Sequence, residues 1–132
     1  MREALYLVRF GDAAASGYPN SGVLVMVGGR LFGGDSGFYY RGTFTHEDGV
    51  IAATVEMIRH DPKWHSAFGD PSRSFAIKIT GQVWGLNVVG KMERVGTGLT
   101  VPMELLWAAD LPNRSDQMQN EKAVQQLAAL AA

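Results

Sequence analysis

The sequence predicts a mainly β fold, a closed antiparallel barrel of about eight strands followed by a C-terminal helix. Three observations predict it. Apolar residues recur with period two through most of the region ending near Asp110. Sixteen glycines punctuate the 132 residues, as in a chain that turns often. Beyond Pro112 the composition changes to Gln, Ala, Glu and Lys, which are good helix formers.

The totals fit one domain, read as a barrel over residues 1–110 with residues 111–132 as its helical extension. Apolar residues make up 46% of the chain and charged residues 19%, a globular profile. Twelve basic residues against thirteen acidic ones give a net charge of −1. The basic field that nucleic-acid binders use is missing, so no direct DNA contact is expected. No cysteine occurs, which removes disulfides, thiolate zinc sites and a thiol nucleophile together. The segment Met1 to Arg9 is too short and too interrupted for a signal peptide or membrane span. A cytoplasmic protein without cofactor is the expectation.

The elements follow in order. Tyr6, Val8 and Phe10 alternate with Leu5, Leu7 and Arg9, a first strand apolar on both faces near its start. Asp12 to Asn20, with Gly17 and Pro19, reads as the loop after it. Gly22 to Val27 meets Arg30 to Phe32 across Gly28-Gly29, a pair able to supply the positive φ values of a tight hairpin turn. A second glycine cluster, Gly33 to Gly37, precedes the strand Phe38 to Thr45, and His46 to Gly49 turns the chain. Ile51, Ala53, Val55 and Met57 mark one face of the next strand. Arg59 to Ser74 is the longest and least regular loop. Phe75, Ile77 and Ile79 give the cleanest alternation, which Trp84, Leu86 and Val88 continue past Gly81. Leu99, Val101, Met103, Leu105 and Trp107 share a face of the last strand, where Pro102 suggests an edge or bulge. A helix is expected from about Asp116 to Leu130 with Ser115 as N-cap. Its apolar stripe, Val124, Leu127, Ala128 and Ala131, is short, so it docks weakly, pairs with another subunit, or frays.

Candidate chemistry is sparse. Gly34-Asp35-Ser36-Gly37 resembles the nucleophile segment of trypsin-like proteases, but such enzymes place their histidine and aspartate upstream of the serine. All three histidines here lie downstream of Ser36. A glycine-rich turn is the better reading. His60, Asp61 and His65 share one loop at no standard metal spacing, and a solvated polar loop outweighs a metal site. No nucleophile, base and orienting group can be assembled, so no enzyme is expected. Barrel-facing aromatics, Phe38, Tyr40, Phe44, Phe75, Trp84 and Trp107, are either core or the lining of a cavity. Glu47 and Asp48 lie at a turn between strands, chosen either for Asp-Gly geometry and solubility or for contact with a basic partner.

The strand Ala4 to Phe10, the run Gly33 to Phe44 and the acidic turn at Glu47-Asp48 together resemble the GrlR-like family of type III secretion regulators. The resemblance covers roughly Met1 to Trp107 and is best from Gly33 to Asp61; the C-terminal helix is not part of it. It implies a lipocalin/calycin-like small barrel that represses transcription by holding an activator protein, as a homodimer, without touching DNA. The family's acidic turn of four alternating Glu and Asp residues falls on His46 to Gly49, where only Glu47 and Asp48 keep carboxylates. These two are the expected partner contacts. The alternative is a carrier or sensor holding a small apolar ligand in the barrel near Tyr40, Met57 and Trp84.

Overall fold

The computed structural model describes residues 2–12 and 15–131. Eight strands, β1 (Ala4–Asp12), β2 (Ala15–Val27), β3 (Arg30–Gly34), β4 (Phe38–Glu47), β5 (Val50–Arg59), β6 (Ser74–Trp84), β7 (Asn87–Arg94) and β8 (Thr100–Asp110), precede helix α1 (Arg114–Ala131). Each strand pairs antiparallel with its sequence neighbours, and β8 returns to pair with β1, closing the barrel. This is the expected mainly β class. The up-and-down order sends the β2–β3, β4–β5 and β6–β7 turns to one rim, where β8 also ends, and the β1–β2, β3–β4, β5–β6 and β7–β8 connections to the opposite rim.

Period two sorts the side chains. Tyr6, Val8 and Phe10 of β1, Leu24 and Met26 of β2, Ile51, Val55 and Met57 of β5 and Val101, Met103 and Leu105 of β8 all point inward and are buried. The outer face of β5 to β7 carries Thr54, Glu56, Lys78, Thr80 and Lys91 along its middle, with Val50, Trp84 and Val89 exposed near the rim. No helix among the described residues is long and apolar enough to cross a membrane.

The Gly28-Gly29 turn forms as expected, with φ of 58° and 73° and Val27 opposite Arg30. Gly42 and Gly90 serve the curvature of the wall. A Cβ at Gly42 would lie 2.1 Å from the Thr54 carbonyl oxygen, and one at Gly90 would lie 2.0 Å from that of Thr80. A neighbouring strand crosses each glycine where any side chain would sit.

Four local expectations need correction. Most of Asp12 to Asn20 is strand: β1 and β2 stay paired to Asp12–Ala15, and the irregularity after Phe10 absorbs Pro19. Asn20 Nδ2 donates to the Gly11 carbonyl at 3.1 Å across that irregularity; Ala13 and Ala14 lie outside the described residues. The strand through Gly81 ends at Trp84, and Val83–Val88 and Trp84–Asn87 pair across a turn at Gly85-Leu86. Pro102 marks no free edge. It pairs with Lys91 of β7 and lies just beyond Phe10–Met103, the last β1–β8 pair, so its missing N–H costs no bond on that side. Helix α1 begins earlier than expected, and its N-cap is Asn113. Asn113 Oδ1 accepts from Asp116 N at 3.0 Å while Asp116 Oδ2 accepts from Asn113 N at 2.9 Å, a reciprocal capping box.

Candidate functional site

The acidic turn shares its rim with the β2–β3 and β6–β7 turns. Glu47 pairs with Val50, leaving Asp48 and Gly49 as a two-residue loop with φ of 52° and 74°. Both positions are left-handed, as a type I′ turn requires, and Asp-Gly is a preferred pair for it. The Gly49 carbonyl accepts from Val83 N at 2.9 Å, tying the turn to β6. Glu47 and Asp48 are both exposed. Asp48 thus serves the turn whatever else it does, and Glu47 stands beside it on a braced projection.

Tyr40 and Met57 are neighbours across β4 and β5, and both face the interior. The space they share with Val8, Leu24, Ile77 and Met92 is about 20 Å³ with a wholly apolar lining. That is near the volume one water needs, and a site without polar partners does not hold even that. Trp84 does not join them. It is 67% exposed, because the inward positions of β6 are Phe75, Ile77, Ile79 and Gly81 and the even-numbered ones point out.

The opposite rim is plugged. The connection from β5 to β6 turns inward at Ser66, Ala67 and Phe68, all buried. Phe68 meets Phe75 edge-on at 6.1 Å, and Phe75 meets Phe38 at 6.0 Å, arrangements that suit aromatic quadrupoles. Ser66 Oγ accepts from Phe68 N at 3.2 Å and from Asp70 N at 3.0 Å, closing the turn that aims Phe68. Arg94 locks the far side. Its Nε and Nη2 meet Asp70 Oδ2 at 2.9 and 2.6 Å, and its guanidinium lies 5.0 Å from the Phe75 ring centroid. The Ser72 hydroxyl and N–H, then Arg94, hold the Asp70 carboxyl down to about 2. The Ser66 to Phe68 part of the loop is therefore a stopper, while His60 and Pro62 to His65 are exposed, as expected of a solvated segment.

Asp35 organises the turn beside the plug. Its Oδ1 accepts from Gly37 N and Phe38 N, both at 2.9 Å, and Tyr40 Oη donates to its Oδ2. Burial, reinforced by the Asp35 carboxylate, pushes the Tyr40 hydroxyl far above the usual tyrosine range. The Gly34 to Gly37 segment is thus a turn built on the Asp35 side chain. The plug straps onto it: His60 N donates to the Gly37 carbonyl at 2.9 Å, and His60 Nε2 lies 3.0 Å from the Asp35 carbonyl oxygen. A cleft of about 160 Å³ opens here between Asn20, Asp35, Gly37, Met57 and Trp64. Among the described residues no group of three or more His, Cys, Asp or Glu converges as a metal site would.

The turn at Glu47 to Gly49 and the inward placement of Tyr40 and Met57 agree with the sequence reading. That reading missed the plug, whose only signal was Ala67-Phe68 inside a polar run. It also missed the role of Asp35, signalled by an Asp two residues before a glycine and a strand. No family model matches the chain, and no curated protein matches it.

Proposed function

We propose that this chain is a non-enzymatic regulator that acts by protein contact. It resembles the GrlR-like proteins and, as a homodimer, would hold a transcriptional activator in negative regulation of type III secretion or a related system. One observation carries the choice of contact over cargo. The space between Tyr40 and Met57 inside the barrel is only about 20 Å³, far below what a small-molecule site needs, which favours recognition on the outer surface. Glu47 and Asp48, exposed on a braced two-residue turn, suit the capture of a basic partner surface.

The test removes charge without disturbing the turn. Asn tolerates the left-handed conformation of Asp48, so Glu47→Gln/Asp48→Asn keeps the backbone and deletes two carboxylates. Titration calorimetry against the helix-turn-helix activator produced by the same host should show affinity lowered about tenfold at low salt, the difference shrinking as salt is raised. Equal binding by wild type and variant would remove the proposed contact. The alternative reading, a carrier or sensor of a small apolar molecule beside Tyr40 and Met57, has in its favour the apolar lining of the interior space. It requires that space to open, and saturable binding of an apolar fluorophore by the folded protein would favour it.

A further inference from the structure

The outer wall of the barrel is two-sided. The β5 to β7 part is polar over Thr54, Glu56, Lys78, Thr80 and Lys91, with Val50, Trp84 and Val89 exposed near the acidic-turn rim, whereas β8, β1, β2 and β3 turn an apolar face outward along their length. Leu7 lies opposite Val23 on one side and Leu106 on the other, while Leu5 lies opposite Val25, which lies opposite Phe32. Leu7, Val23 and Phe32 are each 44–47% exposed. Ion pairs border this patch: Arg2–Asp110 at 2.8 Å above, Arg9–Glu104 at 3.4 Å below and Arg41–Glu56 at 3.6 Å beyond β3. An apolar centre inside a charged rim is the anatomy of a protein interface. It accounts for a first strand that is apolar on both faces.

A second apolar surface is also uncovered. No residue of α1 is buried, and Val124, Leu127 and Leu130 are 57–84% exposed. The apolar stripe occupies only the second half of the helix, Ala123 to Ala131; the first half, Arg114 to Lys122, is polar apart from Met118. We propose that two copies of this chain pair by exchanging these helices, the apolar half of each α1 lying on the Leu7/Val23/Phe32 face of the other.

The dimensions favour exchange over folding back. Nine helical residues are about 13 Å long, and four adjacent strands span about 14 Å, so stripe and patch match in size. Asp110 lies opposite Ala4 at the rim, and Leu5 and Leu7 sit within about 10 Å of it. A helix folding back on its own barrel would spend its first 13 Å or so, its polar half, over the patch. The apolar half would then overrun Arg9 and Glu104. A second copy has no such constraint of length. A contact of this size buries about 350 Å² on each side, so two reciprocal contacts bury about 1,400 Å², within the range of stable interfaces. Reciprocal exchange also closes the assembly at two copies.

The pairing deepens the homodimer reading and does not depend on the activator. The chain has no cysteine, so full-length Leu7→Cys and Leu127→Cys variants carry one thiol each. They are mixed and treated with a short bis-maleimide, then run on a denaturing gel. Exchange predicts a covalent dimer in the mixture several-fold more abundant than in either variant alone. It predicts the same for the Leu7→Cys/Leu127→Cys double variant, with little internal cross-link. An internal cross-link in the double variant, dimers of equal yield in the single variants, or no dimer in the mixture would each overturn the exchange. A positive cross-link beside undiminished activator binding by Glu47→Gln/Asp48→Asn would leave the pairing standing and remove only the acidic contact.

Discussion

Asp35 ties several parts of the fold to one side chain. Its carboxylate answers two backbone N–H groups and the Tyr40 hydroxyl, joining the β3–β4 turn to the barrel interior. Hydrogen bonds to a charged acceptor are worth about 1.5–3 kcal/mol each, so Asp35→Ala should destabilise by about 3 kcal/mol and Tyr40→Phe by about 1–2 kcal/mol in urea unfolding. Tyr40 also carries a pH signature. Its folded hydroxyl titrates above the unfolded value of about 10, so its contribution is complete below pH 10 and is lost as pH rises beyond it. Tyr40→Phe should flatten that alkaline loss of stability; an unchanged alkaline limb would contradict the arrangement. Asp70 works in the opposite direction. Its carboxyl titrates near 2 when folded against 3.8 when free, so its contribution is present above about pH 4 and lost as pH falls toward 2. Asp70→Asn should lower stability at neutral pH and flatten the acid limb between those values.

At the scale of elements, what was legible followed alternation, and what was not followed single side chains. Phe75, Ile77 and Ile79 announced β6 because two-residue periodicity is imposed by the pleat itself. Trp84 was misjudged because Gly81 looks like a break in that pattern. In the barrel Gly81 simply holds its inward place opposite Ile51 and Gly90, so the parity runs on to Val83 and Trp84 faces out. The hairpin at Gly28-Gly29 was legible for the same local reason as Asp48-Gly49, since few residue pairs satisfy two positive φ values. The plug was not legible. Ala67 and Phe68 become core only because Ser66 and Asp70 close a turn over the barrel mouth, a long-range event with no periodic trace. Phe68→Ala should cost about 3 kcal/mol by thermal unfolding and enlarge the cleft beside Trp64, raising binding of an apolar dye. A change within experimental error would show that the loop merely rests on the rim.

On the proposed reading the whole molecule divides its surfaces between two tasks. One rim is stoppered by Ala67 and Phe68, and the space between Tyr40 and Met57 is only about 20 Å³. The other rim holds the acidic turn, and the β8–β1–β2–β3 wall and α1 each hold an apolar surface left uncovered in a single copy. A barrel of this kind suits a protein that works by contact, which is also what the resemblance to GrlR-like regulators implies. Native mass spectrometry of the full chain purified from its own host tests this most directly, because subunit number, bound protein and retained small molecule are read together. The account predicts a dimer with no lipid-sized mass, carrying a DNA-binding activator that the Glu47→Gln/Asp48→Asn variant loses. A retained lipid-sized molecule, or an activator held equally by that variant, would contradict it.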